Sequence, residues 1–216
     1  MLDADKGAEL ALGLKPGVTM DAVRAGIHNG TLEESLNLVP IVKDDMVFVD
    51  AGTVHAIWPG SVLLETQQYS DTTYRMYDYG RPRELHIEKS IEATRLKTRA
   101  GKIPPQVLAD RTVLIAVEYF RVERMVVSGS RASATLHGSD ETAHGLSYLF
   151  AANGSARVSS SGSAGEGFEA FEIPTRGIAA IPAASPEFVV EDLGGLDLIR
   201  VAPSWPKPKP DSEQKG

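Results

Sequence analysis

The sequence predicts a mainly β protein, built as two β halves of sandwich or jelly-roll type. Three observations predict it. From Pro40 onward, short apolar or alternating segments recur between turn signals. Helical spacing is confined to three short windows, all before residue 95. A polar stretch, Lys97 to Thr112, contains Pro104-Pro105 and separates two β-textured regions.

The elements follow in order. Residues 8–14 alternate, with Leu10, Leu12 and Leu14 on one face, as in a strand. This strand begins so close to Met1 that it is expected to lack an upstream partner, as if the chain began inside a larger fold. Thr19 can cap a helix over 20–28, which Asn29-Gly30 ends. Thr31 and Glu34 have the spacing of a capping box for a second short helix, with Leu32, Leu36 and Leu38 as its apolar face. Strands are expected at 47–49, 54–58, 62–68 and 72–79, with turns at Asp44-Asp45, Ala51-Gly52 and Pro59-Gly60. Residues 84–94 place Leu85, Ile87 and Ile91 on one helical face.

Beyond the connection, seven strands are expected: 119–127, 146–152, 156–159, 168–173, 178–182, 188–191 and 196–201. In the first of these Phe120 and Val122 oppose Arg121 and Glu123, which reads as one apolar and one polar face. Residues 159–167 are a Ser/Gly hairpin loop, and 203–216 a polar tail expected to be disordered. The expected organisation is therefore a β half at 1–96 with a helical insert at about 19–38, a connection at 97–112, a second β domain at 113–202, and the tail.

Composition narrows the function classes. The chain has 216 residues, 42% of them hydrophobic, enough for a packed core. A formal charge of -7 argues against a dedicated nucleic-acid binder. No apolar run approaches the roughly 20 residues that span a bilayer, and the N-terminus has no signal-peptide pattern. There are no cysteines, which fits a reducing cytoplasm and leaves His and oxygen ligands for any metal.

The chemical side chains concentrate between Asp44 and Arg83: His55, Glu65, Gln67, Gln68, Asp71, Tyr74, Arg75 and Asp78. Strand spacing would put Glu65 with Gln67, and Thr73 with Arg75, on shared faces. His28 and His86 read as helix-surface or packing residues, Tyr74 and Tyr77 as packing residues, and His137 and His144 as surface-loop residues. The segments Phe48 to Ile57 and Ala180 to Val189 form a weak repeat of strand, sharp turn and strand, with His55 opposite Glu187.

Asp44-Asp45, four residues, Asp50-Ala51-Gly52, two residues and His55 resembles the second metal motif of the cupin superfamily, with Asp44 in place of its Gly and Asp50 in place of its Pro. The runs Glu65 to Arg75 and Asp78 to Ile87 look like those of type I mannose-6-phosphate isomerase, where a GTxHAI segment leads into EIQQxSDTTYRxYDxGRxRELHI. The resemblance covers nearly all of 2–203 and is strongest over 52–87. It implies cupin-type jelly-roll barrels in two related halves, with a short helical insert and one connecting helix.

It also implies zinc-assisted interconversion of mannose 6-phosphate and fructose 6-phosphate through an enediolate. His55 matches the family's last metal ligand. Arg75 matches its active-site arginine, which grips phosphate or stabilises the enediolate. Glu65 and Asp71 match carboxylates near the site and are the candidate acid/base or orienting groups, and Arg75 and Gln67 are the candidate substrate-binding residues. The metal implied is zinc, although His and oxygen ligands also suit manganese or iron. The family's remaining ligands lie in a Gln-x-His-Pro segment and a later Glu. Neither occurs here, so the chain reads as the C-terminal two-thirds of such an isomerase. Two other readings stay open: a non-catalytic sugar-phosphate binding module, and a chain that completes its site with a separate protein.

Overall fold

The computed structural model describes residues 1–125, 127, 133–136 (as backbone), 146–160 and 167–203. His137 and His144, the middle of the Ser/Gly loop and the tail from 204 lie outside them. The chain divides into two compact units, Met1–Ile103 and Pro104–Gly216.

The first unit contains β1 (Asp3–Ala4), β2 (Glu9–Leu14), α1 (Met20–Asn29), a 3-10 turn (Leu32–Ser35), β3 (Leu36–Pro40), β4 (Met46–Phe48), β5 (His55–Ile57), β6 (Ser61–Val62), α2 (Ile87–Ala93) and β7 (Gly101–Ile103). The first strands do find partners, contrary to expectation: β1 pairs with β6, and β2 is the middle strand between β3 and β5. The expected connection is also more ordered than its polarity suggests, because β7 within it pairs with β4.

Thr19 caps α1 by accepting from the Ala22 N–H at 3.2 Å. Gly30 closes it at φ +72°, while the Thr31 N–H returns to the Gly26 carbonyl at 2.8 Å. The capping box does not form. Thr31 has ψ 18°, not the extended conformation of a helix cap, and its side chain makes no cap bond. Its backbone carbonyl takes the Glu34 N–H at 3.1 Å, which is 3-10 geometry. Val23, Ile27, Leu32, Met76 and Ile91 form the helical core, so α1, the 3-10 turn and α2 share one apolar cluster.

The largest departure lies at 63–86. Strands are expected through 62–68 and 72–79, yet the ladder stops at Val62 and the backbone runs irregularly to α2. Alternating sequence makes a strand only when it pairs with another, and among the described residues none pairs with this stretch. Two devices hold it instead. Met76 buries into the helical cluster. Asp78, 5% exposed, accepts from Arg83 Nε at 2.5 Å and from Arg83 Nη2, and pairs with Arg81 Nη2 at 2.8 Å. A buried carboxylate needs such partners.

The second unit contains β8 (Gln106–Val107), β9 (Arg111–Ala116), β10 (Phe120–Met125), β11 (Ser133–Leu136), β12 (Ser147–Asn153), β13 (Ala156–Ser160), β14 (Phe171–Ile173), β15 (Ile178–Ile181), β16 (Phe188–Asp192) and β17 (Asp197–Pro203). One sheet runs β15-β12-β17-β10-β9-β8 and the other β11-β16-β13-β14. Met125, Leu149 and Leu198 of the first meet Val158, Phe188 and Val190 of the second in one core, each side chain stabilising the sandwich by about 1.5–3 kcal/mol. The mainly β, jelly-roll expectation therefore holds. Each arm of the weak repeat also crosses between sheets: β4 and β5 pair in different sheets, as do β15 and β16.

Glu123 does not lie on a solvent face. It is 2% exposed and stands across from Arg200, itself 2% exposed, in the β10–β17 register. Arg121 Nε lies 2.8 Å from its carboxylate, Arg111 Nη1 3.4 Å and Arg200 Nη1 3.7 Å. Arg200 Nε also donates to Ser147 Oγ at 3.0 Å. Several guanidiniums thus share one buried carboxylate, so removing it strands charge in the interior.

Glu123→Ala is expected to destabilise the protein by about 3–5 kcal/mol, the cost of leaving buried charges uncompensated. Denaturant unfolding measures it. The Asp78 carboxyl is held below the usual carboxylate range, first by its Arg83 hydrogen bonds, with burial opposing and the charges of Arg81, Arg83 and Arg75 assisting. A depressed folded pKa means that this stability is complete above about pH 4 and is lost as pH falls further through the folded value. Thermal unfolding should therefore show a melting temperature that falls more steeply below about pH 4 in the wild type than in Asp78→Asn.

Candidate functional site

The turn between β4 and β5 is shaped by glycine at one position. Gly52 has φ +84°, and a Cβ there would lie 2.7 Å from the Ala93 carbonyl and 2.9 Å from Arg95 Cγ. Its own carbonyl accepts the Arg95 N–H at 2.9 Å, so the turn presses directly on the end of α2. Asp44, which stands where the cupin pattern has Gly, also takes a left-handed conformation, at φ +72°. Short polar residues tolerate that region better than most.

The turn delivers His55 onto β5, an edge strand, with its side chain exposed. His55 Nδ1 lies 3.0 Å from the Thr53 carbonyl oxygen. A carbonyl only accepts, so Nδ1 carries the proton and neutral His55 keeps its Nε2 lone pair free. That is the arrangement a metal-ligating imidazole uses, with one nitrogen oriented by a carbonyl and the other offered to the ion.

The other expected site residues lie on the irregular stretch rather than on strands. Glu65, Gln67 and Asp71 are exposed, and Arg75 is half-buried. Shared strand faces for Glu65 with Gln67 and for Thr73 with Arg75 are therefore not what the structure has. Gln67 donates from Nε2 to the Ser70 carbonyl at 3.2 Å. Among the described residues no hydrogen bond or ion pair joins Glu65, Asp71 and Arg75. The Asp78 carboxylate is engaged by Arg81 and Arg83, so Arg75 meets it only as a longer-range charge. The Arg75 carbonyl accepts the His86 N–H at 2.7 Å, tying this stretch to the start of α2.

Beside Arg75, Tyr74 packs its ring near two side chains of the α2 region. The His86 ring centroid lies 6.2 Å from that of Tyr74, and Lys89 Nζ 6.0 Å from the same ring. Lys89 sits one helical turn beyond His86, a spacing that predicts a shared face once α2 is known to start at Ile87. His28 stays an exposed residue at the end of α1. Among the described residues no three His, Cys, Asp or Glu side chains converge as a metal-binding group. No helix among them is long and apolar enough to cross a membrane.

No protein-family model matches the chain. A mannose-6-phosphate isomerase of Streptococcus mutans serotype c is 37% identical over 139 residues, 60% of this chain and 44% of that protein. The mannose-6-phosphate isomerase ManA of Bacillus subtilis is 38% identical over 140 residues, again 60% of this chain and 44% of that protein. Among solved structures, the mannose 6-phosphate isomerase of Bacillus subtilis superposes with a TM-score of 0.75 at 26% identity, covering 93% of this chain and 62% of that one. The Salmonella typhimurium mannose 6-phosphate isomerase bound to fructose 6-phosphate and zinc superposes with a TM-score of 0.59 at 16% identity, covering 86% and 49%, a likeness of fold alone. The chain spans about half the length of the curated relatives it matches. Over 60% of its length the chain is thus similar in sequence to mannose-6-phosphate isomerases, and it has a mainly β, cupin-type fold like theirs.

Proposed function

We propose that this chain carries one wall of the active site of a mannose-6-phosphate isomerase, which interconverts mannose 6-phosphate and fructose 6-phosphate in the cytoplasm. The observation that carries the reading is the free Nε2 of His55, oriented by the Thr53 carbonyl in a chain similar in sequence to such enzymes. His55 fits a zinc ion as one ligand. A catalytic zinc takes about three protein ligands, and the described residues bring no such group together. They therefore supply one ligand rather than a complete zinc site.

Aldose–ketose isomerisation moves a proton between carbons 2 and 1. Glu65 or Asp71, both exposed carboxylates, takes the proton from one carbon and returns it to the other. Negative charge gathers on the enediolate oxygens between those transfers. Arg75 supplies the balancing cation for those oxygens or for the substrate phosphate, since Asp78 spends its bonds on Arg81 and Arg83. Gln67 offers its amide to a sugar hydroxyl.

The experiment is an isomerase assay on mannose 6-phosphate in the presence of zinc, made on the chain fused behind a segment that carries the Gln-x-His-Pro and later Glu ligands, with calorimetric binding of the same ligand in parallel. Arg75→Ala is expected to lower turnover by about 100- to 1000-fold, the scale of losing one preorganised charge-stabilising donor. Wild-type turnover in Arg75→Ala would overturn that assignment. Binding without turnover in the wild type would favour the sugar-phosphate binding module, and the absence of both would refute the proposal as a whole.

A further inference from the structure

The turn that presents His55 contains a carboxylate whose bonds all serve that presentation. Asp50 stands where the cupin pattern has proline, and its side chain is 11% exposed. Thr53 Oγ1 donates to Asp50 Oδ1 at 2.9 Å. The Thr53 N–H returns to the Asp50 carbonyl at 3.1 Å. The Arg99 N–H donates to both Asp50 carboxylate oxygens, at 3.2 and 3.1 Å, from a stretch 49 residues further along the chain. Arg99 Nε adds a charge at 4.0 Å. Thr53 is buried, and its carbonyl is the group that accepts the proton of His55 Nδ1.

These contacts form one chain: Arg99 backbone to Asp50 carboxylate, Asp50 to Thr53, Thr53 to His55. Proline would stiffen the turn by fixing its own φ. Asp50 cannot do that, and it reaches a similar end by hydrogen bonds to both sides of the turn. We propose that Asp50 is a positioning residue: by clamping Thr53 it aims the Thr53 carbonyl at His55 Nδ1 and so sets the tautomer that leaves His55 Nε2 free. Burial by itself would push the Asp50 carboxyl up. The Arg99 N–H and the Thr53 hydroxyl outweigh it and bring the carboxyl below its ordinary range, which favours the ionised acceptor. The ligand role of His55 rests on the proposed function, but the tautomer does not depend on it.

The test reads the tautomer directly, by the ring nitrogen chemical shifts of His55 in full-length 15N-labelled protein, assigned through a His55→Gln variant. At a pH where the ring is neutral, wild type should show a single species with the proton on Nδ1. Asp50→Ala should show a mixture of tautomers, moving toward the Nε2–H form that dominates free imidazole side chains. Asp50→Asn keeps an acceptor for Thr53 Oγ1 and should retain most of the wild-type tautomer. If Asp50→Ala does not fold, Thr53→Val reads the same link, because it removes the donated hydroxyl at nearly constant shape. A pure Nδ1–H tautomer in folded Asp50→Ala, or in Thr53→Val where Asp50→Ala fails to fold, would overturn the inference. Loss of isomerase activity with the tautomer unchanged would also count against it. A tautomer that follows Asp50 in a chain that, once given the added ligand segment, neither binds nor isomerises mannose 6-phosphate would sustain the inference while refuting the proposed function.

Discussion

A carbonyl oxygen accepts hydrogen bonds and never donates them. That one-way property, applied at the 3.0 Å contact between Thr53 and His55 Nδ1, gives the site its chemical meaning. It turns an exposed edge-strand histidine into an oriented donor of one lone pair. Much of the first unit bears on the contact. Gly52 bends the turn at φ +84° and lets it lie against Ala93 and Arg95. Asp50 ties the same turn to the backbone at Arg99. The β2–β5 pairing, with Leu12 opposite His55, sets the side of the sheet from which the ring projects.

Arg75 depends on a different constraint, the buried carboxylate of Asp78. Placing that carboxylate in the interior requires partners, and Arg81 and Arg83 provide them from within five residues. The consequence reaches beyond stability. A carboxylate already taken by two guanidiniums leaves the third, on Arg75, to act on something else. The second unit repeats the logic with the same signs, as several arginines gather around the single carboxylate of Glu123. That cluster spans β9, β10 and β17, where Glu123 faces Val113 on one side and Arg200 on the other.

Much of this was legible in the sequence where local chemistry decides. The turn residues around Gly52, the cap at Thr19, the stop at Gly30 and seven strands of the second unit, β10 and β12 to β17, follow from short-range rules, whereas β8, β9 and β11 were not expected. The rules failed where the outcome depends on distant partners. Thr72 to Tyr79 has the composition of a strand, but a strand also needs a neighbour, and no ladder reaches it among the described residues. Glu123 alternates with Val122 as a surface residue would, yet arginines remote in sequence allow it to be buried. Asp50 registered only as a departure from a motif. Its role needs Arg99, 49 residues away, which no spacing rule brings to it.

The central claim is that His55 offers a metal its Nε2 while Nδ1 stays bonded to Thr53. Zinc titration followed by the ring nitrogen resonances of the five histidines tests it most directly. The account predicts that the His55 Nε2 resonance moves at the lowest zinc concentrations while its Nδ1 stays protonated. A His55 ring that remains unperturbed while zinc shifts the other histidines would contradict it.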